Sequence, residues 1–456
     1  MRREFRALPI LVAGLFASVA IAPGPAAGDA APAAADAVVP GAGAGLQDYL
    51  DWAAAHHPAL AAGREQAEAL RHDAARVGSL PELRLSWGEM VVPVETRVGP
   101  QQRVLSVSQA FPWFGTLGRR EEAALAAAAA ADDGLRARSL AVARDVRAAW
   151  YRLGALDQER KLTEATLELA TATADWLRAA YAAGTAGYAD LLQAQMEQAR
   201  LATLAAGLAD RHRPLAAVLD AAAGLPVDAP APAPRAALPD SAVLAAALAE
   251  PAELRAWLRR HNPELAALAA RREGSRLTTQ AARLAARPNL MLGVDWIMTD
   301  RARMPDVQDS GKDPVVARLS VGIPLWGGAA AESRAAAGRE RVADQDLIDR
   351  RLQLEARLEQ AHYAWRDAGR RLDLHEGELL PRAAQLVETA AAAYAADQAG
   401  FGDLLAARRA LLALRTDLVQ ARLDRALALN DLTALVGLPP AALGAAETAP
   451  NPEDRP

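Results

Sequence analysis

Residues 105–120 read LSVSQAFPWFGTLGRR, and the stretch changes character in its middle. Before Pro112 the residues are largely β-branched or hydroxyl-bearing, as strands favour. After Gly115 come Ala, Glu, Arg and Leu with almost no breaker, as long helices favour. Pro112 and Gly115 punctuate the switch. The same switch recurs at 319–328, LSVGIPLWGG, where Pro324 and Gly327 precede AAAESRAAAGRERVADQ. A strand handing over to a long helix twice in one chain points to a repeated unit.

Working outward, three more landmarks are doubled in the same order. His57-Pro58-Ala59-Leu60 is echoed by Asn262-Pro263-Glu264-Leu265. YAAGTAGYADLL at 181–192 returns as YAADQAGFGDLL at 394–405, and Gly224-Leu225-Pro226 returns as Gly437-Leu438-Pro439 at the same spacing. These define two structural repeats, 46–226 and 244–439. A Pro/Ala linker at 227–243 should be extended, and the polar tail 440–456 is expected to be disordered.

Each repeat reads as helices, two strands and a long helical hairpin. In the first copy a helix begins near Leu46 and another runs from Pro58 to about Gly78, proline being suited to the first helical position. The segment 83–88, LRLSWG, alternates as a two-faced strand does. A turn with Pro93, Gly99 and Pro100 precedes a second strand at 103–109. In the second copy Leu290, Leu292, Val294, Trp296 and Met298 alternate with Met291, Gly293, Asp295 and Ile297. Val315, Ala317, Leu319, Val321 and Ile323 alternate with Val316, Arg318, Ser320 and Gly322. The loop 299–314 between them is charged. Residues 116–183 suit one helix of roughly 100 Å, with Gly134 and Gly154 as weak points. A break at 184–187 leads to a helix at 188–223. The second copy gives 329–396, a break at Gly400, and 401–436, with Pro381 expected to kink or interrupt the outgoing helix. Leu404/Leu405, Leu411/Leu412 and Leu418/Val419 recur every seven residues, a coiled-coil seam.

Composition narrows the class. The formal charge of −5 argues against a nucleic-acid partner. With no cysteine, disulfides, thiolate metal ligands, a cysteine nucleophile and a lipid-modified N-terminal cysteine are excluded. Arg2, Arg3 and Arg6, an apolar run at 8–22 and then small residues read as a secretory signal peptide, 1–27. That run is short for a spanning helix, which needs roughly 20 residues.

Each strand is about ten residues long with one apolar face, the length of a tilted outer-membrane strand. Four strands are too few to close a membrane barrel, and open edges in lipid leave N–H and C=O groups unsatisfied. If the strands cross a membrane, several chains must share one barrel. On the strand pattern alone, a soluble four-stranded sheet packing its apolar face on protein fits equally well.

With the repeat, both HP/NP starts, both strand-to-helix junctions and both helix tips in view, the chain resembles the TolC-like outer-membrane efflux family over roughly residues 46–439. The form SQAFPWFG is similar to subunits of heavy-metal efflux pumps. The resemblance implies a mainly α fold with membrane β: a homotrimer in which four strands per copy build a twelve-stranded β-barrel. The barrel is continuous with a periplasmic α-barrel of coiled-coil hairpins. It implies a passive exit duct in the outer membrane with a large periplasmic portion. A periplasmic adaptor and an inner-membrane pump of the RND type load it, and no cofactor is needed. Gly184, Gly187 and Gly400 mark the hairpin turns, which in the family form the periplasmic tip. Asp190 and Asp403 follow them, and Asp397 replaces Gly184 in the second copy. By resemblance these carboxylates ring a constriction and favour cations; helix N-terminal stabilisation is the simpler role. Arg408 and Arg409 could pair with them.

Other residues read as structural. Met90, Met291, Met298 and Met304 lie in or beside the strands, but alternation puts Met298 on the apolar face with Trp296, which suits lipid contact better than soft metal ligation. His56-His57 flanks a helix start and lacks companion ligands, so no metal site is expected. Trp87, Trp113, Trp296 and Trp326 fall where an aromatic girdle would. No phosphate-cradling loop, H-E-x-x-H or G-x-S-x-G is present, so the chain is not expected to be an enzyme. Drugs or type I secreted polypeptides are alternative cargoes to metal cations. A periplasmic coiled-coil adaptor or scaffold without a pore is the reading of another class; two tandem hairpins disfavour it.

Overall fold

The computed structural model describes residues 39–40, 43–226, 237–239, 248 and 250–438. The signal peptide 1–27, the tail 440–456 and most of the linker 227–243 lie outside the described residues. Everything below belongs to the unit Pro40–Pro456.

In the first copy α1 (Leu46–His56) and α2 (Pro58–Gly78) precede β1 (Arg84–Thr96) and β2 (Gly99–Phe111). The hairpin α3 (Thr116–Ala182) and α4 (Tyr188–Ala223) follows. The second copy repeats the order with α5 (Pro251–His261), α6 (Pro263–Ala285), β3 (Asn289–Thr299) and β4 (Val315–Gly322). Its hairpin is α7 (Gly328–Leu374), one π-helical turn (His375–Leu379), α8 (Leu380–Ala395) and α9 (Phe401–Val436).

The doubled motifs have a shared physical reason. His57 caps α2, its Nδ1 accepting from the Ala59 N–H at 3.1 Å. Asn262 caps α6, its Oδ1 accepting from Glu264 and Leu265 N–H at 2.9 and 3.1 Å. The Asn262 amide also donates to the Leu435 carbonyl at 2.8 Å, tying the start of α6 to the end of α9. Gly224 and Gly437 end α4 and α9 in the left-handed region, both at φ +75°. A Cβ on Gly224 would lie 2.9 Å from Pro58 Cδ and 3.0 Å from His57 Cα, and one on Gly437 2.9 Å from the His261 carbonyl oxygen. The helix-ending and helix-starting motifs therefore meet, once per copy. Two matching cores lie beside these joints. One gathers Tyr49, Val146, Leu153, Leu219 and Ala223; the other gathers Leu254, Leu258, Leu358, Leu432 and Val436.

One helix expectation changes. Gly134 and Gly154 do not weaken α3, which runs unbroken for 67 residues. Gly154 instead lets residue 237 pass close by, since a Cβ there would meet the Ala237 backbone at 2.8 Å. Pro381 does interrupt its helix. Lacking an N–H, it cannot continue the ordinary ladder, and the preceding turn widens so that the Leu380 N–H reaches the His375 carbonyl. Pro214 lies inside α4 without ending it.

The four strands form one antiparallel sheet in the order β1-β2-β3-β4. The first hairpin is longer than its sequence suggests: Pro93 lies within β1, and Gly99 and Pro100 begin β2. A register shift between Glu89 and Val94 absorbs the irregularity. Paired positions place Leu85, Trp87, Leu105, Val107, Leu292, Val294, Trp296, Leu319 and Val321 on one face. Ser86, Ser106, Ser108, Asp295, Arg318 and Ser320 share the other. No helix among the described residues is long and apolar enough to cross a membrane.

Replacing Gly224 or Gly437 by alanine adds a strained backbone to an overpacked joint, an expected loss of about 2–4 kcal/mol. Gly207→Ala, in the interior of α4 with nothing within 4 Å, should be neutral or stabilising by up to about 1 kcal/mol. Thermal unfolding of the purified variants checks the contrast.

Candidate functional site

The two hairpin turns lie side by side, because α3, α4 and α9 share one small core of Ala174, Leu177, Leu191, Ala194, Phe401, Leu404 and Leu405, against which Ala390, Ala391 and Tyr394 of α8 pack. Within each turn the backbone is the same. Gly184 has φ +75° and Asp397, at the matched position, φ +59°; aspartate is among the few residues that tolerate this region. Thr185 N–H bonds the Ala180 carbonyl at 2.9 Å, and Gln398 N–H bonds the Ala393 carbonyl at 2.8 Å. Both are six-residue helix-ending bonds. Gly187 and Gly400 are the extended N-caps of α4 and α9.

The three tip carboxylates differ. Asp403 accepts from the Gly400 N–H at 3.3 Å and closes its own helix start. Asp190 is half-buried. Burial raises the pKa of the Tyr394 phenol, and the nearby charges of Asp190 and Asp397 raise it further. Asp190 and Asp397, from different hairpins, are thus brought to one tyrosine. Aromatic pairs clasp both turns, Tyr181 with Tyr188 at 5.4 Å and Tyr394 with Phe401 at 5.7 Å between ring centroids.

Arg408 and Arg409 do not reach these aspartates. Arg409 donates to Glu197 Oε2 through Nε at 2.8 Å and Nη2 at 2.6 Å. Arg200 holds the same carboxylate at 3.0 and 2.6 Å. The Glu197 side chain is only 6% exposed. Burial alone would raise its carboxyl pKa, but bonds and charge from Arg200 and Arg409 outweigh that and hold it below the usual glutamate range. Arg408 donates to Thr173 Oγ1 at 3.1 Å. Its buried Nε has no partner, and burial pushes its guanidinium pKa down. These groups border a partly open cavity of about 170 Å³ between the hairpins, lined also by Leu405, Leu412 and Val387. Glu197 was missed in sequence. It falls on the buried stripe of Leu191, Ala194 and Leu201, and a charge on such a stripe is the signal that could have marked it.

At the opposite end of α3 and α7, the strand-to-helix junctions behave alike. Gly115 and Gly327 are N-caps at φ +81° and +74°, each three residues past Pro112 or Pro324. Trp326 is 95% exposed and Phe114 is also exposed. Met298 shares the apolar face with Trp296, while Met291 lies on the opposite one. His56 stacks on Trp52 at 4.0 Å. Among the described residues no group of three His, Asp or Glu is arranged to hold a metal.

The Glu197 carboxylate links α4 to α9 most strongly while ionised, when its bonds from Arg409 and Arg200 are charge-assisted. Its depressed pKa gives stability that is full above the unfolded value of about 4.3 and is lost as pH falls through the lower folded value. Arg409→Ala should cost about 1–3 kcal/mol at pH 7, and progressively less as pH falls below the usual glutamate range. Proteolysis at the hairpin turns, followed against pH, reads both effects.

Residues 49–219 and 256–438 match the outer membrane efflux protein family. No curated protein sequence matches the chain. The fold is similar to that of the outer membrane protein VceC from Vibrio cholerae, with a TM-score of 0.70 at 20% identity, covering 86% of this chain and 96% of that one. It is similar to CusC, at TM-score 0.71 and 16% identity over 86% and 92%. It is also similar to the open state of the Neisseria gonorrhoeae MtrE outer membrane channel, at 0.69 and 18% over 86% and 89%. The chain belongs to the outer membrane efflux protein family, whose members are transport ducts and not enzymes.

Proposed function

We propose that three copies of this chain form an outer-membrane exit duct with a twelve-stranded β-barrel above a periplasmic α-barrel. The observation that carries the reading is a pair of open edges at both levels. In the sheet, β1 and β4 each have one unpaired side, and their apolar residues are exposed, Val91 at 95%. In the helical layer α3 is central, flanked by α2 and α4 and by α6 and α9, with α7 packed on α6 and α9. Helix α7 keeps Val342, Leu352 and Tyr363 exposed, while α4 keeps Met196 and Val218 exposed. A neighbouring copy seated edge to edge would cover both levels at once. Closure of the ring satisfies every strand edge, which lipid demands.

In this reading the hairpin turns are the periplasmic tip. Gly184, Gly187 and Gly400 shape it, and Asp190, Asp397 and Asp403 give it negative charge that favours cations. The Glu197–Arg409 link holds the two hairpins of one copy together. Pro112, Gly115, Pro324 and Gly327 mark the passage from membrane to periplasm. A periplasmic adaptor and an RND-type inner-membrane pump deliver the cargo, with metal cations favoured by the acidic tip.

The detergent-purified protein should size as a trimer that dissociates on heating. Its single-channel conductance should be small and should rise in Asp190→Ala/Asp403→Ala. A soluble monomer or dimer without conductance would leave only the scaffold reading. A trimer whose conductance ignores both substitutions would keep the duct and remove these aspartates as its gate.

A further inference from the structure

The polar face of the sheet carries a charge pattern that the tip does not share. The pairings Arg84↔Ser108, Ser108↔Gly293 and Gly293↔Arg318 run through all four strands, so these residues form one cross-strand row. Arg84 and Arg318 stand at its two ends, on the edge strands, and the two central positions are a serine and a glycine. The adjacent row is Ser86, Ser106, Asp295 and Val316. Asp295 is 5% exposed and is held by Arg318. Arg84 is exposed, and its side chain makes no ion pair or hydrogen bond among the described residues. The row lies near the helix-side end of the sheet, since Arg84 opens β1 and Ser108 is close to the end of β2.

We propose that this row is a binding tier for multivalent anions inside the barrel, at the level where the barrel meets the helical duct. The proposal rests on the duct reading above, which makes the polar face the lumen. Three arguments support it. The one carboxylate of these two rows is already engaged by one of the two arginines, so the row keeps an excess of positive charge. The small residues between the arginines leave the guanidinium groups unobstructed from the lumen. The arginines also flank the places where copies join: Arg318 lies on one side of each join and Arg84 on the other. Like charges brought together across strands repel, and an anion with several acceptor oxygens or nitrogens relieves that repulsion while accepting from planar guanidinium donors. The ligand class is therefore phosphate-like, polycarboxylate or complex anions, in contrast to the acidic tip at the far end.

Single-channel currents across a planar bilayer, with hexacyanoferrate(III) added to the barrel side, test the tier. The wild-type duct should show voltage-dependent block that weakens as salt rises, because exposed charges are screened within about 10 Å at 0.1 M. Arg84→Ala removes an exposed side chain without a partner among the described residues, so folding and trimer insertion should not change, and block is read relative to each variant's own open current. Half-block should then need about tenfold more hexacyanoferrate, a change of about 1.4 kcal/mol. Arg84→Lys should retain most of the block, and Arg84→Ala/Arg318→Ala should abolish it. Equal block in wild type and Arg84→Ala would overturn the tier while leaving the duct intact. A wild-type protein that inserts but passes no current would overturn the duct reading, and the tier with it.

Discussion

A four-stranded antiparallel sheet has two unpaired edges, and here no further strand among the described residues pairs with either one. Each edge is a row of backbone donors and acceptors whose desolvation is costly unless another strand meets it. The rest of the architecture is arranged along that constraint. Both helical hairpins leave from the same end of the sheet, where β2 and β4 finish, through matched left-handed caps at Gly115 and Gly327. The helices then continue the layering of the strands, with apolar side chains left on the outer helices as they are on the outer strands. An adaptor-like scaffold has no need for a sheet with one apolar and one polar face, nor for exposed edges at two levels.

Much of this was legible in the sequence because breakers fall at the ends of elements. Pro58, Gly78, Gly115, Gly184 and Gly187 bracket α2, α3 and the start of α4 to within a residue or two. The faces of β3 and β4 were legible because Trp296 and Leu319 keep strict alternation against Asp295 and Ser320. The first hairpin was shortened because proline and glycine were read as turn residues. Pro93 is tolerated in β1 because it falls in the irregular stretch between Glu89 and Val94, where no residue pairs with β2 and a missing N–H removes no bond of that ladder.

The tip was legible as a place but not as a set of partners. Gly184 and Asp397 stood out because the motif is doubled, and the left-handed backbone explains why a glycine and an aspartate exchange there. The pairing of Arg409 was not readable, since its carboxylate lies more than two hundred positions away on another hairpin. Local spacing suggested nearby aspartates, whereas the buried stripe of α4 supplied Glu197. Two guanidinium groups on one buried carboxylate let the ionised form persist where isolated burial would neutralise it.

The meeting of Gly224 with His57-Pro58, and of Gly437 with His261 and Pro263, has a topological meaning. Within each repeat the last helix ends where the second one begins, so the path of the chain nearly returns to its origin. A unit whose entrance and exit adjoin can be copied end to end with only a modest connector and no rethreading. The doubled chain can therefore be understood as two self-closing modules set in series. Their likeness survives in the joints, while the turn before Pro381, absent from the first module, makes the second hairpin the jointed one.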